Sequence, residues 1–159
     1  MAGIVLLALV LDQVSKVYIK THFELGEARE VFSWFWIVFV ENNGMAFGIE
    51  WFSKLLLTLF RLVAVGGIGW YIHVLIHKQT VRMGYLVTVA MVIAGALGNI
   101  IDCVFYGKIW GDAEWFHGRV VDMLYFPLIR NAAGECLFFR PVFNIADSFI
   151  AVAVFLISI

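Results

Sequence analysis

Residues Met83 to Ile101 run for nineteen positions without a charged side chain. Crossing the ~30 Å hydrocarbon core of a bilayer takes ~20 helical residues, so this segment is long enough to span. In lipid, such a segment is stable as a helix that pairs its own backbone N–H and C=O groups. Composition extends that reading to the whole chain. Of 159 residues, 63% are hydrophobic and 14% charged, with a mean hydropathy of +0.94, where a soluble domain carries about 25% charge. The length allows one domain. The same figures exclude intrinsic disorder, and a net charge of −1 gives no general attraction to nucleic acid. Cys103 and Cys136 are too few for a disulfide scaffold and lack the spacing of a zinc site.

Three other apolar stretches complete the pattern. Together the four predict an all-α integral membrane protein with transmembrane helices at about residues 2–20, 54–76, 83–104 and 141–159. The first begins like a signal-peptide core but lacks a basic start and a small-x-small cleavage site, so it reads as a retained span. Both chain ends fall inside spans without basic flanks, as in a trimmed form. Four spans put both termini on one side. The turn from His77 to Arg82 is too short to hold a site, so function is expected in the two long loops on the other face, about 21–53 and 105–140. Lys78 and Arg82 point to the short turn as the cytoplasmic one. In the first loop, Val31 to Val40 reads VFSWFWIVFV, rich in β-branched and aromatic residues and too short to cross as a helix. It predicts an interfacial strand or hairpin. Trp34, Trp36 and Trp51 suit the headgroup layer, and Trp110, Trp115, Phe116, Tyr125 and Phe126 repeat that habit in the second loop. No repeat or linker marks a second domain.

An ionisable side chain in the bilayer costs about 2.5 to 3.5 kcal/mol, so each asks for a partner or a purpose. Asp12 and Lys16 fall late in span one, Asn99 and Asp102 at the end of span three, and Asn144 and Asp147 at the start of span four. Asp122 stands alone in the apolar run Val120 to Phe126. With helix direction alternating, all of these lie on the long-loop side, and four aspartates converge at one depth. Two carboxylates about 3 Å apart share a proton, so that one takes a proton from water while the other polarises a carbonyl. That is aspartyl-protease chemistry. Asp12 and Lys16, four apart on one helical face, can instead simply satisfy each other, whereas Asp122 and Asp147 have no basic neighbour four residues away. Arg61 either counters an aspartate or snorkels outward. Ala94, Gly95 and Gly98 form a small-residue face suited to close helix packing.

Other chemistries fit less well. His73 and His77 have zinc-helix spacing, but Val74 stands where a metalloprotease carries its glutamate, so no metal is expected. No Gly-x-Ser-x-Gly elbow occurs, and Cys103 has no histidine near it in sequence. A small proton-coupled transporter would need a matching acidic group at the opposite face. A lipid-binding chaperone would tolerate loss of either aspartate.

DQVSK at Asp12 to Lys16, ENNGMAFG at Glu41 to Gly48, GALGNIID at Gly95 to Asp102, VVDMLYF at Val120 to Phe126 and FNIADS at Phe143 to Ser148 succeed one another along the chain. This set resembles the lipoprotein signal peptidase (signal peptidase II) family over nearly the whole length. The resemblance implies an intramembrane aspartyl endopeptidase of the bacterial cytoplasmic (inner) membrane, with its site near the periplasmic face. It would remove the signal peptide from diacylglyceryl-modified prolipoproteins, cutting before the lipidated cysteine. It implies four transmembrane helices with a small extracytoplasmic β-sheet, the cradle, and a short loop helix. Carried over by motif, Asp122 and Asp147 are the catalytic pair, while Asp12, Lys16, Asn43, Gly44, Asn99, Asp102 and Asn144 line and support the site. It further implies no cofactor, contact with membrane lipid, a monomer, and inhibition by globomycin-like compounds. One departure is Cys103, where the family usually carries arginine. Asp102 is therefore expected to be held by Asn99, Arg119 or loop N–H groups.

Overall fold

The computed structural model describes residues 2–43, 54–77, 81–131, 136–138 and 141–158. Helix α1 covers Ala2–His22, α2 Lys54–His77 and α3 Met83–Ile101. Three helical stretches, Ala2–His22, Lys54–Val74 and Met83–Trp110, are long and apolar enough to cross a membrane. Past Ile101 the third does not stop at residue 104. It widens into a π-turn over Asp102–Tyr106 and resumes as α4, Gly107–Trp110. The short helix expected in the second loop is this continuation. A π-turn offsets the backbone pairing of the helix, and here the adjoining loop makes use of it. Gly118 N–H donates to the Cys103 carbonyl at 2.9 Å, and Phe116 N–H to that of Val104 at 3.1 Å. Position 118 must be glycine, because a Cβ there would strike the Asp102 carbonyl.

The segment read as a hairpin is one. Strand β1 (Ala28–Phe32) pairs antiparallel with β2 (Phe35–Asn42) across a two-residue turn that Phe32 and Phe35 close. Strands β3 (Val120–Tyr125) and β6 (Val142–Phe143) extend the sheet in the order β1-β2-β3-β6. Between them, β4 (Ile129–Arg130) and β5 (Cys136–Phe138) form a separate pair. The last span, expected from residue 141, is thus corrected at its start. Val142 and Phe143 pair with Tyr125 and Leu124, and the final helix, α5, begins at Ile145 and has 14 residues to Ser158. A β-branched and an aromatic residue suit a strand, and the Asn144 side chain then caps α5.

Small residues bring the helices together. A Cβ on Gly95 would collide with the Ala146 carbonyl, and one on Gly98 would lie 2.5 Å from Asp12 Oδ2. Helix α3 can therefore lie close against both α5 and α1. Ile19, Phe39, Tyr106, Val121 and Met123 form a buried cluster that seals the sheet onto the end of the bundle. Residues Val120–Met123 of β3 are consequently all buried. Arg61 does not snorkel: its Nη1 donates to Cys103 Sγ at 3.4 Å. Cys103 is a buried thiol rather than half of a disulfide.

Candidate active site

Lys16 lies on the inner face of α1 and is 0% exposed. A buried ammonium needs an acceptor for each of its three N–H donors. It has Asp102 Oδ2 at 2.7 Å, Asp12 Oδ2 at 2.9 Å and Asn99 Oδ1 at 3.0 Å. The pairing of Asp12 with Lys16 open to the sequence is therefore real, and it is one edge of a larger cluster.

That cluster sets the orientation of two amides. Because Lys16 can only donate, Asn99 must turn its oxygen toward it, which sends Asn99 Nδ2 to Asp147 Oδ1 at 2.7 Å. Asn144 Nδ2 donates to Asn99 Oδ1 at 3.0 Å and to Asp122 Oδ1 at 2.7 Å. Its own oxygen accepts the Asp147 backbone N–H at 2.9 Å, making Asn144 the N-cap of α5. Asp12 Oδ1 takes the next orphan donor, Ala146 N–H, at 2.9 Å. One hydrogen-bonded path thus runs from Asp122 through Asn144 and Asn99 to Asp147, and Asn99 connects it to Lys16.

Asp122 sits on β3, 2% exposed, with Asn42 Nδ2 donating to Oδ2 at 3.2 Å. Burial and then the Asp147 carboxylate push its pKa up to about 7, against the opposing hydrogen bonds from Asn42 and Asn144. Below that pH it carries a proton. Asp102, 0% exposed, is fixed by Lys16, by Gln13 Nε2 at 3.0 Å and by Val121 N–H at 3.3 Å. The expectation that Asn99 or Arg119 holds Asp102 is corrected. Lys16 takes up Asn99 Oδ1, and Arg119 goes to Glu41 Oε2 at 3.2 Å. The expected loop N–H does contribute: it is that of Val121, at the start of β3.

The structure brings Asp12, Lys16, Asn99, Asp102, Asp122, Asn144 and Asp147 together. Asn43 is exposed and takes Lys54 Nζ at 3.3 Å, outside this cluster, and Gly44 lies outside the described residues. Sequence reasoning missed Gln13, Asn42 and Tyr106, whose hydroxyl donates to Gln13 Oε1 at 3.1 Å. Strand register carried a signal for Asn42. Val40 faces Asp122 across the ladder, so Asn42, two residues on, shares that face. His73 and His77 lie on the last turns of α2 with ring centroids 4.3 Å apart and planes tilted by 50°. Among the described residues no three potential metal ligands are grouped.

Apolar helices long enough to cross a membrane, with a buried carboxylate–asparagine–lysine cluster at one end, define a multi-pass membrane protein of enzymatic type. A profile described as Signal peptidase (SPase) II matches residues 4–159. The chain is 43% identical over 182 residues to a lipoprotein signal peptidase of Porphyromonas gingivalis, covering 99% of this chain and 80% of that one. With a lipoprotein signal peptidase of Streptococcus pneumoniae it shares 34% identity over 99% of this chain and 89% of the other. A solved bacterial membrane enzyme, determined by the in meso method at 2.3 Å, superposes with a TM-score of 0.74 at 28% identity, covering 98% of this chain and 83% of that one. The chain belongs to the signal peptidase II family, a family of proteases.

Proposed function

We propose that the chain is an intramembrane aspartic endopeptidase that removes the signal peptide from diacylglyceryl-modified prolipoproteins, cutting before the lipidated cysteine. The observation that carries this reading is the path Asp122–Asn144–Asn99–Asp147, in which neutral amides, rather than an ammonium or guanidinium, hold the two terminal carboxyls. Asp122, buried and protonated up to about pH 7, is the acid. Asp147, in the first turn of α5 where the positive end of the helix dipole suits a carboxylate, is the base. Asp147 takes a proton from water, the water oxygen attacks the scissile carbonyl carbon, and Asp122 gives its proton to the carbonyl oxygen. Collapse of the tetrahedral adduct passes a proton to the departing nitrogen and breaks the C–N bond. Asn99 and Asn144 keep the two carboxyls in register throughout.

The apolar signal helix lies beside the bundle while its acyl chains stay in lipid, each buried CH₂ adding about 0.8 kcal/mol. The enzyme works as a monomer in the bacterial inner membrane, with α5 as a fourth crossing and the cluster toward the periplasm. Globomycin-like inhibitors occupy the same cleft. Incubating purified protein with a lipidated prolipoprotein and tracking the size shift on a gel tests the reading. Cleavage is expected from the parent, with at least 10²-fold loss in Asp122→Asn and in Asp147→Asn. Near-normal turnover in either variant removes that residue from the pair.

A further inference from the structure

A cavity of about 210 Å³ opens between the end of α1, the start of α2 and the loop after α4. Lys20, Lys54 and Arg119 line it, with Asp112, Asn43 and His117. Lys20 is held by Glu41 and Asp112, and Arg119 Nη1 reaches Glu41 Oε2 at 3.2 Å. Three cations therefore face two carboxylates, and the concave site keeps a positive balance that draws anions. Its placement ties it to the cutting carboxyls. Asn42 pairs with Val120, so Asn43 and Arg119 continue the same two strands; Arg119 is three residues, about 10 Å along the strand, from Asp122, on the face that carries Glu41 and Val121 rather than the face of Asp122. Lys20 lies one turn of α1, about 6 Å, beyond Lys16 toward the sheet. For a chain leaving the catalytic carboxyls away from the membrane, this cavity lies past the ends of β2 and β3, where Asn43 and Arg119 sit.

We propose that the cavity is a subsite for a carboxylate side chain, Asp or Glu, within the first few mature residues after the lipidated cysteine. The inference rests on the peptidase reading above. A peptide carboxylate is favoured over a lipid phosphate because the cavity continues the strand ladder that carries Asp122, and because buried Tyr106 and Gly107 form part of its wall.

The test uses full-length protein in vesicles of defined anionic-lipid content. Its substrates are diacylglyceryl prolipoproteins that differ only in Glu or Gln at the second, third or fourth mature position. In at least one position the Glu substrate is expected to have about fivefold higher kcat/KM, or ~1 kcal/mol. Lys54→Gln and Arg119→Gln each bring that ratio toward one, and Lys54→Glu turns it in favour of a Lys substrate. Equal kcat/KM for Glu and Gln at every position in the parent overturns the proposal, as does a ratio that survives all three variants. A loss shared equally by both substrates and varying with anionic-lipid content assigns the cavity to lipid phosphate and overturns it too. If the parent cuts neither substrate, the peptidase reading falls first and takes the subsite with it.

Discussion

Lys16 gives its three donors to groups on α1 and on the end of α3, and so neutralises charge that no water reaches. Breaking a buried ion pair by removing one partner costs about 3 to 5 kcal/mol, because the other charge is left unpaired. Lys16→Met fits the space yet strands Asp12 and Asp102, and thermal unfolding in detergent should show a loss of that size. Asp122 titrates in the opposite sense from a salt-bridged carboxylate. Burial and the Asp147 charge raise it to about 7, whereas an unfolded Asp titrates near about 4. Over that interval the folded chain holds more protons than the unfolded one. The stability from this group is complete below about pH 4 and is lost as pH rises through about 7. Asp122→Asn removes the titration, so its Tm should exceed that of the parent above pH 7, with the gap closing toward pH 4. The parent's kcat/KM should fall above about pH 7 by up to tenfold per unit as the acid loses its proton.

Helix α3 depends on what it lacks. Gly95 leaves room for the Ala146 carbonyl and for Ile150, whose Cγ1 would be 2.6 Å from an added Cβ, while Gly66 in α2 has nothing within 4 Å. Gly95→Leu should force α5 away from α3, separating Asp147 from Asn99 and abolishing activity along with a large drop in Tm. Gly66→Leu, facing open space, should change either measurement little. Equal effects in a thermal-shift assay would show that α2 also packs closely there. Sequence made the packing face at Ala94, Gly95 and Gly98 legible, because small residues at this spacing in an apolar helix have few other uses. The hairpin was legible as well, since a ten-residue β-branched and aromatic run cannot cross as a helix. The π-turn was not, because nothing local in Asp102 to Tyr106 distinguishes it from more α3; it forms where the Gly118 loop lies along the helix. Asn42 was overlooked for its neighbour Asn43 because motif position alone does not say which strand face a residue takes. Gln13 was overlooked because an amide beside two charges draws less notice, although it fixes Asp102.

At the scale of the whole molecule, α1 and α3 run toward the sheet, and α2 and α5 run away from it. The cluster lies where these directions meet, and His77 and Met83 lie at the far end. Helix α5 has only 14 residues, about 21 Å, which alone falls short of the ~30 Å core. It does not start at the membrane surface, however. Asn144 and Asp147 are bonded to Asn99, which is bonded to Lys16, and Lys16 lies six residues before the end of α1 at His22, about 9 Å of helix. A helix that begins about 9 Å down needs only the remaining 21 Å or so to reach the other face. On the proposed four-crossing reading, strand β6 and the Asn144 cap would be the means by which a carboxylate enters the bilayer at the first turn of α5. Single-cysteine variants with a membrane-impermeant label check this. Glu30→Cys, exposed in β1, should react only from the periplasmic side, and Met83→Cys and Ser158→Cys only from the cytoplasmic side. Labelling of Ser158→Cys from outside would show that α5 stops short and would reduce the chain to three crossings.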